Sequence, residues 1–218
     1  MSSNFSFEYR FRDSNNPNEL SPIIIMLHGY GSNEEDLFSF ASHIPGYYKI
    51  ISLRAPYTIS YGGYSWYDFG IDNKMNFQIN LEQAKDSISK IKDFVKNELN
   101  KICLFDVNNI CLIGFSQGTI LSYALSLNNP DLFNKIAALS GKINLDLVDN
   151  KINDFSNLKY FCSHGIQDQV IPIDLCRNSI EWLKSNKISH VYKEYDMPHS
   201  VNNENFYDLL DWIKNNVK

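Results

Sequence analysis

The sequence lacks the long apolar run of a membrane span and the clusters that mark nucleic-acid or metal-binding proteins. No window approaches the roughly 18 consecutive apolar residues of a membrane-spanning helix. The 25 Asp and Glu outnumber the 20 Lys and Arg, and the net charge of −5 disfavours a nucleic-acid surface. No metal-like spacing relates the four cysteines, which are Cys103, Cys111, Cys162 and Cys176. We therefore expect no nucleic acid, no stable membrane insertion and no bound metal.

Repeats, low-complexity tracts and linkers are also missing. The segment Met1 to Arg12 has no cationic stretch followed by an apolar one, so we expect no signal peptide and a cytoplasmic protein with reduced thiols. A length of 218 residues predicts one domain over residues 1–218, and an apolar content of 44% is enough to form its core.

Strand-like and helix-like segments alternate along the chain. Phe5 to Arg12 alternates apolar and polar residues, which predicts a half-exposed edge strand. The other predicted strands are short apolar runs: Ile23–Leu27, Tyr48–Leu53, Asn109–Ile113, Lys135–Leu139, Leu158–Cys162 and Val191–Tyr195. The predicted helices are Phe77–Leu99, Gln117–Leu127, Ile173–Asn186 and Asn202–Lys214. This order predicts an α/β fold with a mostly parallel central sheet and helices on both faces.

Two irregular stretches interrupt this order. Arg54 to Asn76 is rich in glycine and aromatic residues, and Lys142 to Ser156 has room for a short helix. Long loops in compact domains are usually functional or disordered, and aromatic residues argue against disorder. Two interpretations stay open for Tyr64 and Trp66: they line a substrate pocket, or they pack into the core under the loop.

Ser116 lies between two glycines in Gly114-Phe115-Ser116-Gln117-Gly118, where a predicted strand becomes a helix. This Gly-x-Ser-x-Gly pattern is the nucleophile elbow, a tight turn that exposes the serine above a sheet. The helix start behind it directs backbone N–H groups toward developing negative charge, which makes the Gln117 N–H one oxyanion donor. The alternative is a serine that simply caps a helix.

A nucleophilic serine needs a histidine base, and the base needs an acid that orients it. In this architecture the acid and then the histidine follow the serine along the chain. His199 follows the last predicted strand, at the edge where active sites of such sheets lie, whereas His190 is at the opposite end. A surface-loop role is the alternative for His199.

Asp168 is the preferred acid because it follows the strand that ends near Cys162. Asp174 fits a helix-start carboxylate better, and Asp196 is too near His199 in sequence. The remaining histidines, His28, His43 and His164, have no place in this order. The His28–Gly31 segment follows a buried strand and should supply the second oxyanion N–H.

These motifs together resemble the phospholipase/carboxylesterase family of small α/β-hydrolases, which includes acyl-protein thioesterases. The resemblance covers about Pro22 to Ile213. It is carried by LHGYGSNEEDL (27–37), LRAPY (53–57), SWYD (65–68), GFSQG (114–118), ALSG (138–141), HGIQDQVIP (164–172) and MPHS (197–200).

The resemblance implies an α/β-hydrolase fold without a large lid. It implies Ser116 as nucleophile, Asp168 as acid and His199 as base, with the N–H groups of Tyr30 and Gln117 as the oxyanion hole. The GSNEEDL form looks more like bacterial esterases of the family than the thioesterase branch.

We therefore expect a serine carboxylesterase that acts on small-molecule carboxylic or thio esters, without a cofactor. An acyl-protein thioesterase or lysophospholipase is an alternative, as are another nucleophile-elbow hydrolase, such as a small peptidase or lipase, and a non-catalytic ligand-binding protein. A homodimer is left open.

Overall fold

The computed structural model describes residues 5–71, 77–149 and 154–217, and a seven-stranded sheet runs through this part of the chain. The strands in chain order are β1 (Tyr9–Arg12), β2 (Ser21–Leu27), β3 (Lys49–Leu53), β4 (Tyr57–Thr58), β5 (Tyr64–Ser65), β6 (Phe69–Ile71), β7 (Phe77–Ile79), β8 (Phe105–Phe115), β9 (Lys135–Leu139), β10 (Lys159–Gly165) and β11 (Ser189–Tyr195).

The helices alternate with these strands. They are α1 (Glu35–Phe38), α2 (Leu81–Asn97), α3 (Leu99–Ile102), α4 (Gln117–Asn128), α5 (Ile173–Ser185) and α6 (Asn203–Asn216), with 3-10 turns at Ser39–His43 and Leu145–Leu147. No helix of the described residues is both long enough and apolar enough to cross a bilayer.

The main sheet has the order β1-β3-β2-β8-β9-β10-β11. β1 pairs antiparallel with β3 at one edge, and the other neighbouring strands are parallel. The predicted α/β fold with a mostly parallel sheet and an edge strand at the start is confirmed. The edge strand is shorter than predicted, because Phe7 turns into the core against the rings of Trp66 and Phe94.

Strand β2 shows why the sheet is covered on both faces. Ile23, Ile25 and Leu27 point into one core with α2, α4 and α5, while Ile24 and Met26 point into another with α1 and α6. All five side chains are completely buried. Each contributes roughly 1.5–3 kcal/mol by leaving water, so the continuous apolar run of β2 holds the two layers together.

The predicted start of the first long helix is wrong. Phe77–Ile79 pairs antiparallel with β6, and α2 begins at Leu81. The side chain of Asn80 accepts a hydrogen bond from the Gln83 N–H at 3.1 Å and so satisfies the first turn. An N-cap of this kind fixes a helix start that the apolar periodicity alone does not show.

Helix α4 is buried on every side, although the sequence predicts an amphipathic helix with one inward face. Its residues from Gln117 to Leu127 are all buried. The hydroxyls of Ser122 and Ser126 donate to helix carbonyls four residues earlier, which lets polar residues occupy buried positions. The helix that follows Ser116 is thus fixed from all directions.

The two irregular stretches are ordered where the structure describes them. The strands β4 and β5 form one small hairpin and β6 and β7 another, outside the main sheet. The second stretch holds the 3-10 turn at Leu145–Leu147. Residues 72–76 and 150–153 lie outside the described residues.

Candidate active site

Ser116 is the single residue between the end of β8 and the start of α4. Its backbone has φ 53° and ψ −114°, a region that residues with a side chain rarely occupy. The Ser116 N–H donates to the Leu139 carbonyl of β9 at 3.0 Å, which holds the turn against the neighbouring strand. Such strain persists where the surroundings enforce it, and it is concentrated at functional sites.

The two glycines around Ser116 are required by close backbone packing. A Cβ on Gly118 would lie 2.0 Å from the Leu27 carbonyl oxygen, and a Cβ on Gly114 would lie 2.6 Å from the backbone of Gly118. Contacts this short are not found for real Cβ atoms. The helix therefore approaches the strand only because neither position carries a side chain.

Asp168 lies in the turn between β10 and α5, and its side chain is completely buried. Its Oδ1 accepts hydrogen bonds from the N–H groups of Val170 at 2.8 Å and Ile171 at 2.9 Å. Its Oδ2 is 2.6 Å from Nδ1 of His199. The loop thus holds one carboxylate oxygen and presents the other to an imidazole.

His199 follows β11 and is largely buried, with 16% of its side chain exposed. Its ring packs against the ring of Phe115 with centroids 4.9 Å apart, so it lies beside the residue that precedes Ser116. A Cβ on Gly165 would lie 2.3 Å from the Met197 carbonyl oxygen. This close approach of β10 to the histidine loop brings the acid and the histidine within hydrogen-bonding distance.

The other candidates from the sequence lie elsewhere. Asp174 is 81% exposed and pairs with Arg177 at 3.2 Å, and Asp196 accepts from the Gln167 amide at 2.6 Å. His190 stands opposite Tyr160 near the start of β10, away from the edge where Asp168 lies. Among the candidate pairs, the structure therefore brings together Asp168 and His199 at the edge that holds Ser116.

The predicted oxyanion donors flank Ser116. Gln117 is the first residue of α4, so its N–H has no intrahelical acceptor. A Cβ placed on Gly29 would lie 3.4 Å from the Ser116 Cβ, so the loop that carries Tyr30 passes directly beside the serine. Within the described part of the chain, the Tyr30 N–H donates to no protein acceptor. Among the described residues, two backbone N–H groups without a protein acceptor therefore lie in the segments next to Ser116.

His28 fixes the base of this loop. Its Nδ1 faces the Gly29 carbonyl at 2.7 Å, and its Nε2 accepts from the Ala55 N–H at 3.0 Å. Burial lowers the pKa of His28, which keeps the ring neutral and lets one nitrogen accept. The geometry gives His28 a structural role.

The two aromatic residues of the irregular stretch have different environments. Trp66 is completely buried, and its indole N–H donates to the His28 carbonyl at 2.9 Å, which favours the core interpretation for this residue. Tyr64 is half-buried, and its backbone carbonyl accepts from the Gly31 N–H at 2.9 Å. The loop itself carries an exposed ring, that of Tyr30, which packs against Phe69 at a tilt of 54° with centroids 4.5 Å apart.

Two features near the site have no counterpart in the sequence interpretation. His164, without a place in the expected order, has its Nε2 3.1 Å from Asp168 Oδ2. Glu34, buried in the GSNEEDL segment, accepts two hydrogen bonds of 2.6 Å from Arg54 of the LRAPY segment. The only sequence signal was that these residues belong to the family-like motifs.

Metal-binding clusters and clefts among the described residues bear on the chemistry at Ser116. No group of three or more His, Cys, Asp and Glu side chains in the described residues could hold a metal ion. A cleft of about 820 Å³ lies between α2 and the segment Leu145–Asp149, and neither Ser116, Asp168 nor His199 lines it. The polar side chains described at this edge include the hydroxyl of Ser116 and the imidazole–carboxylate pair of His199 and Asp168.

Comparison with known proteins identifies a matching family and similar proteins. The profile of a family described as Phospholipase/Carboxylesterase matches residues 14–217. Acyl-protein thioesterase 1 of Yarrowia lipolytica is 26% identical over 210 residues, which cover 89% of this chain and 92% of that protein. The probable carboxylesterase SOBER1-like of Arabidopsis thaliana is 26% identical, and its alignment covers all of this chain and 91% of that protein.

Solved structures share the fold. The carboxylesterase of Bacillus cereus superposes with a TM-score of 0.82 at 15% identity, covering 98% of this chain and 96% of its own. Acyl-protein thioesterase 2 of Zea mays superposes with a TM-score of 0.76 at 19% identity, covering 97% and 99%.

Proposed function

Because the chain belongs to the phospholipase/carboxylesterase family, we propose that it hydrolyses carboxylic esters, thioesters included, with Ser116 as the nucleophile. The observation that carries the proposal is the 2.6 Å contact between His199 Nδ1 and Asp168 Oδ2, at the sheet edge where Ser116 stands. An imidazole oriented by a buried carboxylate is the base that a serine hydroxyl needs.

The first half of the reaction forms an acyl-enzyme. The Nε2 of His199 takes the proton of Ser116, and the serine oxygen attacks the acyl carbonyl carbon. Asp168 keeps the proton of His199 on Nδ1, so that Nε2 is free to accept, and stabilises the imidazolium that forms. The imidazolium then protonates the leaving alcohol or thiol as its bond to the acyl carbon breaks.

The oxyanion of each tetrahedral intermediate accepts hydrogen bonds from the N–H groups of Tyr30 and Gln117. These donors are fixed before the substrate arrives, because α4 is buried on every side and the Tyr30 loop is held through Gly31. Loss of one such donor costs about 3–4 kcal/mol of transition-state stabilisation.

Water completes the cycle. His199 takes a proton from a water molecule, the hydroxide attacks the acyl carbon, and the proton passes to Ser116 as the carboxylic acid leaves. The residues present account for each proton, and no cofactor enters the scheme.

A second candidate within the same chemistry is hydrolysis of long-chain acyl thioesters on proteins. The relatives in Yarrowia lipolytica and Zea mays carry the name acyl-protein thioesterase. In this chain, the exposed pair of Tyr30 and Phe69 offers an apolar surface beside the oxyanion loop that suits an acyl chain. A panel of esters and thioesters of increasing acyl length would discriminate this candidate from a short-chain esterase.

The proposal is tested with a fluorophosphonate probe and with Ser116→Ala. Only an activated serine reacts with the probe, so the wild type should be labelled and Ser116→Ala should not. Loss of a nucleophile of this type lowers kcat by up to about 10⁶-fold. Ser163→Ala is the control, because this buried hydroxyl has no partner among the described residues. A wild type that neither reacts nor hydrolyses any ester would instead indicate a ligand-binding protein.

A further inference from the structure

His164 ends up against the carboxylate that pairs with His199. It is the penultimate residue of β10, and its side chain is completely buried. Its Nε2 faces two oxygens: the Ile171 carbonyl at 2.8 Å and Asp168 Oδ2 at 3.1 Å. A ring nitrogen that faces two acceptors must carry the hydrogen, so His164 is the Nε2–H tautomer.

The charge state of this ring follows from its surroundings. Burial lowers the pKa of His164, against smaller opposing effects of the Ile171 carbonyl and the Asp168 and Glu194 carboxylates. His164 is therefore neutral; its Nε2–H donates to the Ile171 carbonyl, and the same N–H group lies 3.1 Å from the carboxylate oxygen of Asp168. This ring does not add a cation next to His199.

The other ring nitrogen of His164, Nδ1, differs from Nε2 in its contacts. Its Nδ1 is buried and has no hydrogen-bond partner among the described residues. A buried acceptor without a partner costs free energy that an apolar residue at this position would avoid. Packing alone therefore does not explain a histidine here, whereas the paired contacts of Nε2–H do.

The contact adds a polar N–H group to the surroundings of Asp168. The N–H groups of Val170 and Ile171 hold Oδ1, and the ring of His199 holds Oδ2. The His164 Nε2–H, bonded to the carbonyl of the same Ile171, lies 3.1 Å from Oδ2. Because the carboxylate has no exposed surface, these protein donors replace water. Rotation of the carboxyl group would break bonds at both oxygens at once, so the direction in which Oδ2 faces His199 is fixed.

We propose that His164 is a positioning residue for the reaction: its Nε2–H donates to the carbonyl of Ile171, whose N–H holds Oδ1 of Asp168, and lies 3.1 Å from Oδ2, so that the carboxylate stays in line with Nδ1 of His199. The proposal rests on the proposed function of Ser116, Asp168 and His199. His164 touches neither the substrate nor Ser116 in this scheme and acts through Asp168 alone.

Two substitutions separate this role from a purely structural one. In His164→Gln the amide nitrogen can take the place of Nε2, whereas in His164→Asn the shorter amide reaches only the place of Nδ1, where no partner exists. We expect His164→Asn to lower kcat by about 10- to 100-fold with KM nearly unchanged, as for a misplaced catalytic group. His164→Gln should recover most of the loss.

The second readout needs no substrate. A histidine Nδ1–H bonded to a carboxylate gives a far-downfield proton resonance, and we expect that of His199 to shift or broaden in His164→Asn and to persist in His164→Gln. His190→Asn is the matched control, since His190 lies on the neighbouring strand and bonds the Ile188 carbonyl at 2.8 Å. It should leave both kcat and the resonance unchanged.

The results that would contradict the role of His164 differ from those that would contradict the proposed function. Both His164 variants with wild-type kcat, or both with equal losses and an unchanged resonance, would reduce His164 to a structural residue and overturn the proposal. If His164→Asn does not fold, the wild type still decides, because nitrogen NMR that finds the Nδ1–H tautomer of His164 would contradict it. A wild type that hydrolyses no ester would contradict the proposed function, while the resonance would still report on His164.

Discussion

The side-chain amide of Gln117 forms two hydrogen bonds with the backbone of Trp66 and Tyr67. Its Oε1 accepts from the Trp66 N–H at 2.8 Å, and its Nε2 donates to the Tyr67 carbonyl at 2.7 Å. The residue whose backbone N–H is the proposed oxyanion donor therefore also holds the aromatic segment. Since Trp66 in turn bonds the His28 carbonyl, the segment links both sides of the proposed oxyanion hole.

This relationship predicts a loss of activity in Gln117→Ala, although the backbone N–H is kept. We expect kcat/KM to fall by about 10- to 100-fold, because a displacement of about 1 Å in the oxyanion donors has an effect of that size. Gln117→Glu keeps the acceptor for Trp66 but turns a carboxylate oxygen toward the Tyr67 carbonyl in a buried position, so it should not restore the wild-type activity. Steady-state kinetics with one ester would measure this, and wild-type activity in Gln117→Ala would contradict it.

The aromatic residues predict two different phenotypes. Phe69→Ala should change the order of kcat/KM for two-, four- and eight-carbon esters, since its exposed ring packs against the ring of Tyr30 and a methylene in an apolar pocket contributes about 1–3 kcal/mol. Tyr64→Ala tests whether the half-buried ring of Tyr64 lines the substrate pocket, in which case the same order of substrates should change. Trp66→Ala should mainly lower stability, by about 3–5 kcal/mol as for other buried aromatic residues.

Kinetics and a thermal melt on the same samples separate these results. A stable Phe69→Ala protein with the wild-type order of substrates would return Phe69 to a structural role. A Trp66→Ala protein with a wild-type melting temperature and an altered order of substrates would show that the Trp66 ring contributes to substrate selection and not to the stability of the core.

The strands and the serine turn could be predicted from the sequence because their signals are local. Ile23–Leu27 is continuous and apolar since both of its faces are covered, and the glycines beside Ser116 reflect backbone contacts within one turn. The predicted Lys135–Leu139 strand has the bounds that the structure gives it. Patterns of this kind depend on neighbouring residues only.

What the sequence could not show depends on contacts between distant segments. Glu34 and Arg54 are 20 residues apart, and His164 reaches Asp168 only because the loop after β10 folds back. Phe77 and Ile79 continue an apolar pattern into α2, so only their pairing with β6 identifies them as a strand. Residues of this sort appear in the sequence as ordinary polar or apolar positions.

The pair of Glu34 and Arg54 predicts a pH-dependent stability. Hydrogen bonds from Arg54 lower the pKa of Glu34 below its ordinary value of 4.5, despite the opposing effect of burial. A lowered native pKa means that the unfolded chain binds the proton first, so this contribution is complete above 4.5 and is lost as the pH falls through the native pKa. We therefore expect Glu34→Gln to lower the free energy of unfolding at neutral pH by about 2–3 kcal/mol.

The measurement is urea unfolding of wild type and variant at about pH 7 and about pH 3.5, where the gap between them should narrow. A gap that is independent of pH would contradict the role of the Glu34 charge. Glu35→Gln is the control, because Glu35 is 53% exposed and pairs with Arg10 at the surface. Its effect at neutral pH should stay below about 1 kcal/mol.

The acid assignment predicts a large difference between two aspartates six positions apart. In Asp168→Asn the amide still accepts from Val170 and Ile171 through its oxygen, but its NH₂ group then faces the Nδ1 of His199. His199 can answer only by moving its hydrogen to Nε2, the atom that must accept the serine proton. Where the tautomer is wrong in this way, kcat falls by about 10⁴-fold.

Asp174→Asn is the matched control, because Asp174 is 81% exposed in the first turn of α5 and pairs with Arg177 at the surface. Its charge near the helix start contributes no more than about 1 kcal/mol to stability, so activity should stay close to wild type. Rates for both variants, with circular dichroism to verify folding, decide the matter. A buried aspartate that orients the base cannot lose its charge without lowering the activity. Full activity in Asp168→Asn, or a loss of activity confined to Asp174→Asn, would therefore show that another carboxylate is the acid.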